Sequence, residues 1–430
     1  MEKKLEGKGS TPRIALVLSG GGARGAYEAG VLSYLLDEFP RELGRPVCFD
    51  IITGTSVGAI HACYMAGGMG REDEGKRLIK VWESLTLETA FDIGPSDIFR
   101  IPMRMLGFMG GGDFSKLFKF KDASPNRLPG MLDTAGLESV VIDAVDWKRL
   151  RENVDSGSIK ALAITATEIA TGRAVVFVDT PGGKAPRWAT DRTVIARPAR
   201  ITPTHALASA SIPLVFPAVR IKQAFYCDGG LRVNTPLAPA LRLGADRVLI
   251  IGLRRKVTPE EEDKQAQRRE IAYASPAYLA GKALNALMLD RIEYDLDRMR
   301  LFNAILEDGI KAYGDDFVDT INETIVAHRT TPYRIVRDLF LRPSEDLGMM
   351  AADCLRHKPR GPGMRGWLSR RMASFAAKGV PGEADLLSYL FFDSCFTSHL
   401  VELGRKDAKA AKDDLLAFFS EGMPDGPRES

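Results

Sequence analysis

Three short motifs carry residue types that could perform nucleophilic chemistry. The first, Gly54-Thr55-Ser56-Val57-Gly58, fits the pattern G-x-S-x-G, in which a serine occupies a sharp turn between a strand and a helix. Side chains two positions before and after such a serine would collide, so both positions are glycine. The helix that follows adds the positive end of its dipole near a developing oxyanion. The motif predicts Ser56 as a nucleophile on an elbow held by Gly54 and Gly58; the alternative is that Ser56 only caps a helix.

A glycine-rich loop, Gly20-Gly21-Gly22-Ala23-Arg24-Gly25, precedes a predicted helix. Consecutive glycines there let backbone N–H groups converge on an anion, which in acyl transfer is the tetrahedral oxyanion. Arg24 could add charge or hold the loop. The same residues fit the dinucleotide pattern G-x-G-x-x-G. That alternative lacks the acidic residue expected at the end of the second strand, since Asp50 stands at the start of that strand.

The third motif, Asp228-Gly229-Gly230, ends a short apolar segment. An aspartate on a glycine turn at a strand end can project into a site. The alternative is ordinary turn chemistry.

The elements that must position these motifs alternate between strands and helices. Apolar runs predict strands at 13–18 and 49–53, each followed by a glycine turn and a helix, at 26–38 and 57–69. This alternation is typical of a parallel α/β sheet. Later strands are predicted at 160–167, 174–178, 224–227, 247–253 and 333–341, and later helices at 236–243, 275–307, 366–378, 384–403 and 407–420.

In this order the three motifs resemble those of the patatin-like phospholipase family. Its oxyanion motif G-G-G-x-[RK]-G matches residues 20–25, its elbow G-x-S-x-G matches 54–58, and its D-G-[GA] motif matches 228–230. Residues 209–217 (SASIPLVFP) are similar to the segment that precedes the family's aspartate. Residues 342–346 (RPSED) look like the segment that closes the sheet in many bacterial members. The resemblance covers about residues 12–255 and extends through 342–346.

The resemblance implies a three-layer α/β/α fold with a mostly parallel central sheet and a helical C-terminal extension. It also implies hydrolysis of phospholipid or related lipid esters through a Ser56–Asp228 dyad, with the glycine loop as oxyanion hole. Because a free aspartate is a poor base, the site must desolvate Asp228. A Ser–His–Asp triad is the competing mechanism, but no histidine after Asp228 lies on a glycine-flanked loop at a strand end. Two further alternatives are a nucleotide-dependent oxidoreductase and a non-catalytic lipid-binding module.

Composition limits the remaining classes of function. The chain of 430 residues has 45% hydrophobic and 27% charged residues, which excludes wholesale disorder. Its net charge of +3 argues against a dedicated nucleic-acid binder. No apolar run approaches the roughly 18 residues of a membrane span, so the expected location is cytoplasmic with transient visits to a membrane surface. Five scattered cysteines predict neither a disulfide framework nor a zinc cage, and no cofactor or metal is expected.

A Phe- and Met-rich segment at 97–121 carries interleaved basic residues and predicts contact with acyl chains and anionic headgroups; the alternative is that it forms ordinary core and a loop. The predicted contact residues are Phe99, Met103, Met105, Phe108, Phe114 and Phe118. The expected organisation is a loose N-terminus (1–12), a hydrolase domain (13–355) and a basic linker with a helical extension (356–430). Within the domain the core motifs lie in 19–230 and a helical insertion in about 258–330. Homo-oligomerisation is left open.

Overall fold

A computed structural model describes most of the chain. It covers residues 12–86, 89, 127–128, 135–185, 188, 193–213, 215–256, 258, 260–261, 291–329, 331–357 and 388–420. All three motifs lie within these ranges. The predicted acyl-contact residues Phe99 to Phe118 and most of the basic run at 356–371 lie outside them.

One sheet organises the described part of the chain. Five neighbouring strands run parallel in the order β10-β9-β1-β2-β4, and beyond them β8, β7 and β3 continue in antiparallel pairs. On its other edge β4 pairs antiparallel with β5, which pairs parallel with β6. The strands are β1 Ile14–Leu18, β2 Ile51–Thr55, β3 Arg127–Leu128, β4 Ala161–Glu168, β5 Arg173–Asp179, β6 Val194–Pro198, β7 Ala218–Ile221, β8 Ala224–Asp228, β9 Arg247–Ile251 and β10 Arg337–Leu341.

Helices cover both faces of the sheet. They are α1 Gly25–Asp37, α2 Phe39–Leu43, α3 Val57–Gly68, α4 Glu74–Ser84, α5 Ala135–Ala144, α6 Trp147–Asp155, α7 Pro203–Ser209, α8 Leu237–Arg242, α9 Ile292–Tyr313, α10 Phe317–Arg329, α11 Leu347–His357, α12 Ser394–Ala410 and α13 Lys412–Phe419.

The side chains of β1 alternate between two hydrophobic cores. Leu16 and Leu18 belong to the larger apolar cluster, which includes residues of α1, α3 and α12. Ala15 and Val17 belong to a second cluster with residues of α8 and α9. Successive side chains of a strand point to opposite faces, so a run buried on both faces lies between two helical layers. The predicted three-layer α/β/α class with a mostly parallel sheet is confirmed.

Strand β4 brings the chemistry-bearing motifs together. Its Thr165 lies opposite Thr55 of β2, and its next residue, Ala166, lies opposite Asp228 of β8. Since Ser56 directly follows Thr55, the serine and the aspartate meet at the same level of the sheet, although 172 positions separate them.

The C-terminal helices are part of the main core. Helix α12 crosses α1 so closely that a Cβ on Gly30 would collide with the Val401 carbonyl, and one on Gly404 with the Tyr27 carbonyl. Helix α13 places Phe419 against Phe39 and Phe49. The predicted helices at 384–403 and 407–420 correspond to α12 and α13 with shifted bounds, and that at 366–378 lies outside the described residues.

Two expectations from the sequence need correction. Cys354 of α11 and Cys395 of α12 form a disulfide with a Cα–Cα distance of 6.1 Å, whereas the spacing of the cysteines predicted none. Residues 41 positions apart meet here because the two helices pack, which spacing alone does not reveal. Strands β3, β6 and β7 were not predicted. Strand β3 has only two residues, and β6, at an edge of the sheet, and β7, between β8 and β3, are short and only partly buried. Within the described residues, no helix is long and apolar enough to span a bilayer.

Candidate active site

Ser56 occupies a strained elbow between β2 and α3. Its φ of 56° and ψ of −126° lie outside the regions that non-glycine residues favour. A Cβ on Gly54 would collide with the Gly58 carbonyl, and one on Gly58 would lie 2.5 Å from the Leu18 carbonyl oxygen. Both glycines are therefore required by close backbone contacts, as the G-x-S-x-G pattern predicted.

Asp228 receives a short hydrogen bond from the nucleophile candidate. The Ser56 hydroxyl donates to Asp228 Oδ2 at 2.6 Å, and the Gly230 N–H donates to Oδ1 at 2.7 Å. Ser56 is 2% exposed and Asp228 is 0% exposed. Burial raises the pKa of Asp228 to about 6, against the opposing effect of these two hydrogen bonds. The carboxylate is thus a stronger base than a free aspartate and is in direct contact with the hydroxyl proton.

Ser209 secures the elbow from the other side. Its hydroxyl accepts the Ser56 N–H at 2.9 Å and donates to the Thr165 carbonyl at 2.6 Å. Sequence reasoning singled out the segment that starts at this residue only by resemblance and gave Ser209 no role. The signal that could have found it is a hydroxyl at the end of a helix that packs on β4.

The glycine loop lies directly against Ser56, because a Cβ on Gly20 would lie 3.1 Å from the Ser56 Cβ. Four of its six N–H groups are already bonded. Gly20 donates to the Asn234 carbonyl at 3.0 Å, Ala23 to the Tyr389 carbonyl at 2.9 Å, and Arg24 and Gly25 to carbonyls of the loop itself. The N–H groups of Gly21 and Gly22 have no acceptor among the described residues. Of the predicted oxyanion donors, these two remain available to a ligand.

Arg24 connects the glycine loop to the C-terminal segment of the chain. Its side chain is buried, its Nε donates to the Ser388 hydroxyl at 2.7 Å, and its guanidinium lies 4.2 Å from the centre of the Tyr389 ring. Of the two roles that the sequence left open for Arg24, these contacts favour holding the loop.

The histidines whose side chains are described have partners other than Asp228. His61 bonds Glu28 through Nδ1 at 2.5 Å and accepts the Trp82 indole N–H through Nε2 at 3.0 Å. His205 bonds the Thr202 hydroxyl at 2.8 Å, and burial lowers its pKa to about 4. His399 lies 3.7 Å from the Cys354 sulfur. A Ser–His–Asp arrangement is therefore not formed by these three histidines.

An apolar cavity of about 60 Å³ opens beside Ser56. Helices α3, α4 and α5 form most of its wall, and the lining includes Ile60, Trp82, Val141, Ile212 and Phe392. Sequence reasoning missed this cavity because its residues come from six separate segments. Its apolar lining suits a hydrocarbon group.

The described residues include one group of possible metal ligands. Cys354, Cys395 and His399 offer ligand atoms within 4.8 Å of one another, but the two sulfurs are joined in the disulfide.

Comparison with known proteins identifies relatives of this arrangement. A family model described as patatin-like phospholipase matches residues 16–241. The cGAMP-activated phospholipase of Pseudomonas aeruginosa (strain BWHPSA011 / Pa011) is 31% identical over 227 residues, which are 51% of this chain and 53% of that protein. The chain therefore matches about half the length of this curated relative.

Two solved structures are also similar. VipD from Legionella pneumophila has 13% identity and a TM-score of 0.31, with 91% of this chain and 92% of VipD covered. Human GIVD cytosolic phospholipase A2, in complex with methyl gamma-linolenyl fluorophosphonate, has 11% identity and a TM-score of 0.38, with 95% of this chain and 58% of that chain covered.

Proposed function

Because the chain belongs to the patatin-like phospholipase family, we propose that it hydrolyses acyl esters of phospholipids or related lipids through Ser56 and Asp228. The observation that carries the proposal is the 2.6 Å hydrogen bond from the Ser56 hydroxyl to a fully buried carboxylate. A buried carboxylate is a stronger base, and a serine on a strained elbow presents its oxygen to a substrate.

In the proposed reaction Asp228 takes the Ser56 proton while Oγ attacks the ester carbonyl carbon. The carbonyl oxygen becomes an oxyanion, which the N–H groups of Gly21 and Gly22 stabilise. The tetrahedral intermediate collapses, the leaving alkoxide takes the proton from Asp228, and an acyl-Ser56 ester remains. Water then loses a proton to Asp228 and attacks this ester, so the free acid leaves and the Ser56 hydroxyl is restored.

The apolar cavity supports a lipid substrate in particular. It opens at Ser56, and its lining is almost entirely aliphatic and aromatic. We propose that the acyl chain lies there, with the ester carbonyl between Ser56 and the glycine loop. The Phe- and Met-rich segment at 97–121 remains a proposed contact with the membrane surface.

Control by a nucleotide is a second proposal. The Pseudomonas aeruginosa relative is named as a cGAMP-activated phospholipase, and the matched stretch covers about half of each protein. We propose that hydrolysis by this chain also depends on a small ligand; an unchanged rate over a series of nucleotides would contradict this.

Labelling with a fluorophosphonate tests the hydrolase proposal against a non-catalytic lipid-binding module. We expect the wild-type protein to be labelled at Ser56, and Ser56→Ala to lose both labelling and esterase activity by at least about a thousandfold. Ser139→Ala is the matched control, since Ser139 is exposed on α5 and does not line the cavity. Absence of labelling in correctly folded wild-type protein, or labelling that survives Ser56→Ala, would contradict the proposal.

A further inference from the structure

A second, larger cavity is lined by the loop that follows Asp228. It has a volume of about 780 Å³ and is bounded by residues 231–242, helix α9 and residues 331–336. It shares no lining residue with the apolar cavity at Ser56. Its volume is within the range of about 300–1,000 Å³ that is usual for small-molecule sites.

The lining of this cavity carries five arginines and one carboxylate, that of Asp295, so its net charge is positive. Arg232, Arg291 and Arg298 line it, and none forms an ion pair with a carboxylate in the part of the chain that the structure describes. Arg334 also lines it and pairs with Asp246 at 3.2 Å. Guanidinium groups are always charged and match the geometry of phosphate oxygens. Unpaired arginines that face one concave space repel one another, so an anion bound among them is favoured.

One wall of the same cavity is aromatic. Phe302 and Tyr333 stack with their ring centres 5.1 Å apart and an interplanar angle of 22°. The Arg298 guanidinium lies 5.8 Å from the centre of the Phe302 ring. Aromatic rings and guanidinium planes bind flat heterocycles by stacking. The cavity therefore combines groups for phosphates with a surface for a planar base.

The cavity is connected to the candidate active site through residues 233–235. Val233, Asn234 and Thr235 line the cavity. On the other side the Val233 carbonyl accepts the Thr55 hydroxyl at 3.0 Å, and the Asn234 carbonyl accepts the Gly20 N–H at 3.0 Å.

Thr235 shares a hydrogen bond of 2.6 Å with the Ser19 hydroxyl. A ligand that moves residues 233–235 therefore acts directly on the residues before Ser56 and before Gly21.

We propose that this basic cavity binds a nucleotide, with phosphates on Arg232, Arg291 and Arg298 and the base on the Phe302–Tyr333 wall. Occupancy then changes the rate of ester cleavage at Ser56 through residues 233–235. The binding step is independent of the proposed hydrolase function, and only the change in rate rests on it.

Calorimetric titration of the full chain tests the binding step. The probes are ATP, GTP and a cyclic dinucleotide, with pyrophosphate and adenosine as partial ligands, at about 0.1 M salt. We expect saturable binding of at least one nucleotide, weaker binding of both partial ligands, and a Kd about tenfold higher in Arg232→Ala and Arg298→Ala. Arg41→Ala is the matched control, since Arg41 is an exposed arginine that lines neither cavity.

Three outcomes would overturn the binding step. No saturable binding of any nucleotide up to about 1 mM would overturn it. So would affinities unchanged by the arginine substitutions, which would put the ligand elsewhere. Loss of sedimentation with phosphatidylglycerol vesicles in the arginine variants, without nucleotide binding, would assign the patch to a membrane and overturn the nucleotide proposal.

The change in rate is tested with the nucleotide that binds. We expect saturation to change kcat/KM for a soluble ester by about threefold or more. Arg298→Ala should require about tenfold more nucleotide for the same change. Binding with an unchanged rate in an active enzyme would overturn the coupling. If the wild-type protein hydrolyses no ester while nucleotides still bind, the hydrolase proposal fails and the binding site stands.

Discussion

Burial disfavours the charged form of the Asp228 carboxylate, and the proposed chemistry uses the stronger base that results. Its carboxylate is fully buried, and its compensating partners are the Ser56 hydroxyl and the Gly230 N–H, both neutral donors. Burial without a cation raises the pKa of Asp228 to about 6. The charged carboxylate therefore destabilises the folded protein at neutral pH. The same raised pKa makes it a base that can accept a proton from serine.

The first prediction concerns Asp228→Asn and pH. With the pKa raised from about 3.9 in the unfolded chain, the folded wild-type protein binds more protons, so its stability falls as pH rises from about 4 through about 6. Asp228→Asn lacks this titration and should gain roughly 2–3 kcal/mol relative to wild type between those pH values. It should also lose ester hydrolysis. Denaturant unfolding at pH 4 and pH 8 measures the gain; a difference that does not change with pH would contradict the prediction.

Protonation of Asp228 should also determine how kcat/KM falls at acidic pH. Only the ionised Asp228 can accept the Ser56 proton, so kcat/KM should rise with pH and reach half its plateau near pH 6. A soluble ester substrate separates this effect from changes at a lipid surface. An acid limb centred near pH 4 would show that the carboxylate is not desolvated in the working enzyme.

Ser209→Ala tests how the elbow is held. The substitution leaves the Ser56 N–H and the Thr165 carbonyl without their shared partner, at a cost of about 1–3 kcal/mol. We expect kcat to fall about tenfold with little change in KM, because Ser209 positions Ser56 and does not touch substrate. The pH at which kcat/KM reaches half its plateau should not change, since Asp228 is unchanged. Ser211→Ala is the control, since its hydroxyl bonds the Leu207 carbonyl instead; an equal loss there would contradict a specific positioning role.

At the scale of elements, the C-terminal segment completes the glycine loop. The Tyr389 carbonyl accepts the Ala23 N–H, and a Cβ on Gly22 would collide with that carbonyl. Ser388 and the Tyr389 ring hold Arg24, and α12 packs tightly on the helix that follows the loop. The segment that the sequence presents as an appended extension thus fixes the geometry of the proposed oxyanion hole.

Ser388→Ala tests this support. Removing the acceptor of the Arg24 Nε loosens a buried, charge-assisted contact, so we expect kcat to fall about tenfold while the fold is retained. Restoring the hydroxyl with Ser388→Thr should recover part of the rate. Ser398→Ala provides the comparison, since Ser398 is exposed on α12. Wild-type kinetics in Ser388→Ala would mean that the glycine loop keeps its conformation without Ser388.

At the scale of the whole molecule, the apolar cavity exists only because three helices and three further segments meet beside Ser56. Val141 of α5 is 2% exposed and lies in its wall, whereas the adjacent Ile142 is 46% exposed. The two positions offer a matched pair on one helix, one facing the cavity and one facing solvent.

Val141→Phe should shorten the preferred acyl chain. The larger ring fills space in a narrow cavity, so kcat/KM for long-chain esters should fall about tenfold or more, while short-chain esters keep most of their rate. Ile142→Phe should leave the chain-length profile unchanged. Equal losses on short and long chains in Val141→Phe would mean that the cavity does not hold the acyl chain.

Local sequence patterns determined the serine elbow and most of the strands and helices around it. The strained turn at Ser56 needs glycine on both sides because the backbones of Gly58 and Leu18 leave no room for a Cβ, and such a requirement is visible in five consecutive residues. Alternating apolar runs and glycine turns likewise predicted the parallel strands and their helices. The short apolar segment before Asp228 placed this residue at a strand end.

Only the tertiary structure decided the rest. Which loop N–H groups stay available depends on Tyr389, and Ser388, one of the partners of Arg24, lies 364 positions away. The disulfide, the cavity at Ser56 and the arginine-lined cavity are likewise made by segments far apart in the chain. Such contacts arise from the packing of whole elements, for which no short stretch of residues carries a signal.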